Sequence, residues 1–202
     1  VYDRASRIHG YQLLFRAVVS PGNADGEDEA SATTKLIVRT FSDFGLNALV
    51  GDRNAFVNVT WPFVVGVLPV PLPADRTILE LPVSLGRSPE IIAGVARLAE
   101  EGYRLVVEGR GMFLDDPLLQ YASYVRVSIA AYDPGILAAV VAELHGRQLM
   151  VIGEKVDTQA QAEVADAARV DLMQGHWLSR GDVQTTRTLS PSRVAALRIL
   201  PR

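Results

Sequence analysis

The sequence has 202 residues, 49% of them apolar and 21% charged, enough to bury one sizeable core in one domain. It has no Cys and only three His, none in H-x-x-x-H spacing, which excludes disulfides, thiolate zinc sites and Cys nucleophiles and leaves oxygen ligands for any metal. The net charge of −3 comes without a basic block, no apolar run reaches the ~18 to 20 residues of a membrane span, and no basic flank precedes an apolar leader, so a cytoplasmic protein with no nucleic-acid or membrane partner is expected.

A sequence that begins at Val1 rather than Met is expected to be part of a longer chain. In chain order, Ile8–Phe15 is a predicted strand, and the polar, acidic stretch Ser20–Glu29 reads as a loop. Leu36, Ile37, Phe41 and Phe44 then recur at helical spacing. Strands are predicted at Ala55–Val59 and Thr77–Leu81. Ser88-Pro89-Glu90 opens a helix whose apolar face is Ile91, Ile92, Val95, Leu98 and Ala99. After a strand at Arg104–Glu108, Asp115-Asp116 stands before Pro117 and reads as a cap rather than a catalytic acid pair.

The strand Tyr124–Ser128 is followed by Asp133-Pro134, a second cap before Pro, and a helix with Ile136, Leu137, Val140, Val141 and Leu144 inward. Gln148–Gly153 is the next strand, Thr158 and Gln161 form a capping box opening a helix over Gln159–Ala168, and Asp171–Met173 is the seventh strand. Gly181–Ser190 reads as a linker, and Pro191–Leu200 restarts a helical pattern (Val194, Leu197, Leu200), as the beginning of another domain. Trp61, Tyr103 and Trp177 read as core or interface aromatics rather than a base-stacking platform.

Seven short strands alternating with helices predict an α/β fold of the (β/α) TIM-like barrel type. An open dinucleotide-binding sheet is disfavoured because no Gly-rich fingerprint follows the first strand. In a barrel, chemistry gathers at the C-terminal strand ends. Those ends carry Gln12 and Arg16, Asn58, Glu80, Glu108, Arg126 and Ser128, Glu154 and Lys155, and Gln174.

These segments, Tyr11-Gln12-Leu13-Leu14-Phe15-Arg16, Phe56-Val57-Asn58, Leu79-Glu80, Gly153-Glu154-Lys155-Val156 and Gln174-Gly175-His176-Trp177, resemble in order and spacing the EAL domains of bacterial cyclic-di-GMP signalling. Gly102-Tyr103-Arg104-Leu105 and the tail Ser190-Pro191-Ser192-Arg193-Val194-Ala195-Ala196-Leu197 are similar to the subgroup in which a shortened EAL domain precedes an HDOD domain. The resemblance implies an EAL-type barrel over residues 1–183, incomplete or with a modified first strand. Residues 184–202 are then the linker and the start of a following HDOD-like domain.

The resemblance also implies a two-metal phosphodiesterase site, in which carboxylates and an Asn hold divalent ions that activate water and neutralise the phosphate. Here Gln12 stands in place of the family's Glu, and Glu108-Gly109 in place of its Asp pair. Arg126 replaces its Lys and Ser128 an Asp, while Arg110 adds a cation. Asn58, Glu80, Glu108 and Glu154 remain as the only metal ligands on offer; no cofactor is expected, with Mg²⁺ or Mn²⁺ entering only if residual activity exists. Buried acids need a cation or a proton, so Arg126, together with Arg110, is expected to pair with Glu80 and Glu154 in the metal's stead.

The expected function is a degenerate, catalytically inactive regulatory or interaction module, coupled to the following domain, to a protein partner or to a second copy of itself. Two alternatives stay open. One is a cyclic-di-GMP receptor without hydrolysis, using Arg16 and Arg126 for phosphates and Gln174 for a base. The other is a slow metal-dependent phosphodiesterase.

Overall fold

A computed structural model describes residues 1–16, 34, 37–38, 45–109, 113–178, 182–184 and 196–200, with backbone alone at 15–16, 113, 182–184 and 196–200. Ten strands form one sheet: β1 (Tyr2–Asp3), β2 (Gly10–Arg16), β3 (Asn54–Asn58), β4 (Thr77–Leu81), β5 (Arg104–Gly109), β6 (Tyr124–Ser128), β7 (Met150–Glu154), β8 (Leu172–Gln174), β9 (Asp182–Gln184) and β10 (Ala196–Leu200). Among the described residues the helices are α1 (Trp61–Val64), α2 (Pro89–Glu100), α3 (Pro134–Gly146) and α4 (Gln159–Ala167), with residues 34, 37–38 and 45–50 also helical.

All seven expected strands are present as β2 to β8, each parallel to the next. The two-residue β1 supplies the eighth position. It runs antiparallel to β8, with Tyr2 opposite Met173, while the Val1 amine donates to the Gly10 carbonyl at 2.9 Å and so reaches the start of β2. The sheet curls into a TIM-like barrel whose seam this short strand bridges.

Strand residues alternate between two environments, as the period of two requires. Leu79, Leu81, Leu105, Val107, Val125, Val127 and Val151 face outward and pack on Ile91, Val95 and Leu98 of α2 and on Leu137, Val141 and Leu144 of α3. The other parity fills the barrel's lower interior with Phe56, Ile78, Val106, Tyr124, Ile152 and Leu172, closed by Val1. Continuous apolar runs arise because both faces of these strands are buried.

Ser88 caps α2 by accepting from the Ile91 amide, and Thr158 with Gln161 completes the expected capping box. Asp133 holds the N-cap position of α3, but its side chain makes no cap bond, contrary to expectation; Pro134 starts that helix without it. Between β5 and β6 the described residues hold only two single 3₁₀ turns, Phe113–Asp115 and Leu119–Tyr121, and buried Leu118 and Leu119 cover the sheet there.

The tail differs from its prediction. Within the expected linker Gly181–Ser190, Asp182–Gln184 is a strand; within the expected helix Pro191–Leu200, Ala196–Leu200 is a strand antiparallel to β2, with Leu197 opposite Phe15. Ala-Leu-Arg-Ile-Leu alternates as well as it spirals, and the free edge of β2 resolves the choice through backbone pairing. The sheet therefore continues past residue 183. The predicted loop Ser20–Glu29 and Leu36, Phe41 and Phe44 lie outside the described residues. No helix among the described residues is long and apolar enough to cross a membrane.

Candidate functional site

Two residues along each strand from the apolar layer, the same inward parity carries polar groups. Phe56 is followed by Asn58, Ile78 by Glu80, Val106 by Glu108, Tyr124 by Arg126, Ile152 by Glu154 and Leu172 by Gln174, while Gln12 of β2 completes the ring. The fold thus gathers every inward candidate at the C-terminal half of one barrel. Gly109 ends β5 and offers no ligand, Ser128 lies opposite Glu154 in register, and Lys155 follows on the exposed rim. Arg16 ends β2, with its side chain outside the described residues, as is all of Arg110.

The centre of the ring is a chain of directed hydrogen bonds. Glu80, 1% exposed, accepts from the Gln12 amide through Oε2 at 2.6 Å and from the Arg126 guanidinium through Oε1. Because Gln12 gives its NH₂ to the carboxylate, its carbonyl oxygen faces the other way and accepts from Gln174 Nε2 at 2.8 Å. The expected pairing of Arg126 with Glu80 is present. With Glu154, Arg126 has an electrostatic attraction but no ion pair; among the described residues that carboxylate pairs instead with Lys155 Nζ at 4.0 Å.

Arg126 is 6% exposed. Burial by itself would lower its pKa, but Glu80, Glu154 and Glu108 together outweigh that and hold it above the ordinary value, so the guanidinium stays charged. Among the described residues, two buried atoms of the ring have no hydrogen-bond partner, Arg126 Nε and Gln174 Oε1. Gly175 sets the depth of Gln174: a β-carbon there would lie 2.2 Å from the Val156 carbonyl oxygen, so only glycine lets the chain pass.

The donor set does not fit a divalent ion at Glu80. Both of its oxygens already receive protein N–H donors, one of them from a fixed cation, and an amide stands where a further carboxylate would help. Among the described residues no group of three or more His, Asp or Glu is arranged to hold a metal.

The rim adds features that the sequence reading passed over. His176 Nδ1 and its backbone amide both meet Asp157 Oδ1, at 2.9 and 2.7 Å, tying the β7–α4 loop to the chain leaving β8. Asp116 accepts from Arg87 Nε at 2.8 Å and from the Leu118 amide, a turn cap as expected with an ion pair besides. Asp157 and His176 lie 19 residues apart and Arg87 and Asp116 lie 29 apart, so only the barrel's geometry joins them. Trp61 and Trp177, read as core or interface residues, are 46% and 50% exposed just beyond the ends of β3 and β8; burial is thereby removed from that choice. Tyr103 packs against the outer core and donates to the Leu72 carbonyl.

Comparison with known proteins meets this geometry at the level of fold. No family model matches the sequence. The cyclic di-GMP phosphodiesterase CdgJ of Vibrio cholerae is 25% identical over 196 residues, covering 94% of this chain and 45% of that protein. The "Uncharacterized protein YuxH" of Bacillus subtilis is 22% identical over 197 residues, with 94% and 48% covered. The chain spans about half the length of these relatives. Among solved structures, Bacillus subtilis YkuI, with an EAL domain and in complex with its substrate c-di-GMP and calcium, aligns at a TM-score of 0.60 and 14% identity, over 86% of this chain and 56% of that one. Klebsiella pneumoniae BlrP1, in a calcium and cyclic-di-GMP complex, also reaches 0.60, at 15% identity over 96% and 61%. In fold the chain is a (β/α) barrel like those of these EAL-domain proteins, with a short antiparallel first strand.

Proposed function

We propose that the chain is a non-hydrolysing EAL-type module of cyclic-di-GMP signalling, which acts by recognition at its barrel mouth. The observation that carries this reading is the double occupation of Glu80: with Arg126 on one oxygen and Gln12 on the other, the acid best placed to anchor a metal is committed to the protein itself. Without a bound ion, water at the mouth has no Lewis acid to lower its pKa, and a guanidinium does not act as a base. The phosphodiester would have no activated nucleophile.

A second reading keeps the dinucleotide as a bound signal. It is favoured by the exposure of Trp61 and Trp177, which follow the C-terminal ends of β3 and β8, the same ends of the strands that carry the buried Arg126 and Gln174. Coupling to a following domain or to a second copy belongs to the same proposal.

Incubation with cyclic-di-GMP and Mn²⁺, followed by chromatography, is expected to return the cyclic dinucleotide intact. Linear product made by the wild type and lost in Glu80→Ala overturns the reading. Calorimetric titration with the dinucleotide then separates its two forms: saturable heat supports the receptor, and none at high micromolar concentration leaves protein recognition.

A further inference from the structure

Two residues before each member of the apolar layer, the inward parity falls on Asn54, Arg76, Arg104, Ala122, Met150 and Val170, at the N-terminal ends of the strands. Two of these are arginines and none is an acid, the reverse of the ring at the opposite end. We infer that this barrel floor is an anion-binding site for an oxyanion of the phosphate class, with Arg104, Arg53 and His9 as its donors. The inference is independent of the proposed signalling role, because none of these side chains belongs to the upper ring.

One run of hydrogen bonds holds the donors together at the starts of β2, β3 and β5. Arg104 donates through Nη2 to Asn54 Oδ1 at 2.8 Å and to the Asp75 carbonyl at 3.0 Å. Asn54 in turn donates to the His9 carbonyl at 3.1 Å, and Arg53 donates through Nη1 to the Ile8 carbonyl, also at 3.1 Å. Every acceptor in this run is neutral, so both guanidiniums keep their full charge. The acids nearby do not cancel it: Asp3 is engaged by Arg7 and by the Ala5 and Arg7 amides, Asp52 meets Arg53 only at 3.5 Å with its own side chain 91% exposed, and Asp75 meets Arg104 through its backbone.

Donors are left over for a ligand. Among the described residues, Arg104 Nε and Nη1 and Arg53 Nη2 have no protein acceptor, and His9 Nε2 is buried without a partner, a state that costs stability. Burial and then the Arg104 charge lower the pKa of His9, which Asp3 raises only in part. An oxyanion seated between His9 and Arg104 supplies the missing acceptor and the missing negative charge together. The planar fork of Arg104, with a second guanidinium from Arg53, suits the several oxygens of a tetrahedral phosphate better than a single carboxylate.

The test titrates the full chain with sodium phosphate against sodium chloride at equal ionic strength, read by melting temperature and by the imidazole proton resonances. Wild type is expected to melt progressively higher with phosphate and to show a saturable shift of the His9 resonance, with a raised titration midpoint. His145 and His176, already paired with Asp171 and Asp157, are expected to stay in place. Arg104→Gln should weaken phosphate binding at least about tenfold, the worth of a charge-assisted pair of bonds, and Arg53→Gln by a smaller factor. Should Arg104→Gln fail to fold, Arg53→Gln carries the same test, since its side chain is 51% exposed. Arg147→Gln makes the same charge change on α3, where Arg147 pairs with Glu143, and should bind phosphate as wild type does. Wild type that responds to phosphate no more than to chloride overturns the inference, and so does a loss of binding in Arg147→Gln equal to that in Arg53→Gln and Arg104→Gln.

Discussion

The lower and upper halves of the barrel interior are made by the same strands and differ by two residues along each. Below, Phe56, Ile78, Val106, Tyr124, Ile152 and Leu172 pack without a charge; above, Glu80, Glu108, Arg126, Glu154 and two glutamines occupy the equivalent inward positions. The backbone environment is alike in both, so the difference lies in what each layer is for. The apolar layer gains from burial, about 25 cal/mol per Å² of apolar surface. The polar layer spends stability on desolvating charges, recovered only through the directed bonds among Arg126, Glu80, Gln12 and Gln174.

The largest effect is expected from opening the lower layer. Phe56→Ala removes a fully buried ring that meets Tyr124 edge-on and should cost about 3 to 5 kcal/mol, read as a lower denaturant midpoint with the slope unchanged. Next comes Glu80→Ala, which strands a buried guanidinium and should cost about 3 kcal/mol. The double variant Glu80→Leu/Arg126→Met should be much less destabilised than Glu80→Ala. A double variant as unstable as the single one would mean that the upper layer supports the fold as the lower one does.

A smaller gain is expected at Lys155, a non-glycine residue at φ 60 on the rim just past Glu154. Lys155→Gly should stabilise the protein by about 1 kcal/mol in thermal unfolding, since glycine adopts this backbone region without strain. The smallest effect is that of pH on the barrel floor. His9 lies 6.2 Å from the Phe56 ring and 6.4 Å from Tyr124; burial first, then the Arg104 charge, lowers its pKa from the usual 6.5. The unfolded chain therefore takes up its proton at higher pH than the folded one, so stability should be complete above pH 6.5 and decline as pH falls below it. The decline should vanish in His9→Phe, as melting curves over that range will show.

How much of this was legible depends on the range of the interaction. The seven parallel strands could be read because each is a local run rich in Val, Ile and Leu, and the inward parity of Asn58, Glu80, Glu108, Arg126 and Glu154 follows from counting by two. β1 escaped because two residues carry no period. β10 escaped because Val194, Leu197 and Leu200 recur at the helical spacing of three while Leu197 and Ile199 alternate with Arg198 at the strand spacing of two, and only the free edge of β2 decides between them. The Glu80–Arg126 pairing was accessible from charge alone. The Gln12–Gln174 bond was not, since its partners are 162 residues apart and neither amide carries a charge that demands the other.

That separation has a consequence for how the molecule is made. The seam joins the first strands to the eighth: Tyr2 pairs with Met173, and Gln12 receives its bond from Gln174. During synthesis the early strands must wait, edges unpaired, until the end of β8 has left the ribosome. Contacts of such long sequence separation form slowly, and open strand edges invite pairing with other chains. The short β1, which holds its own place at the start of β2 through the Val1 and Gly10 backbone, covers part of that edge before the partner arrives.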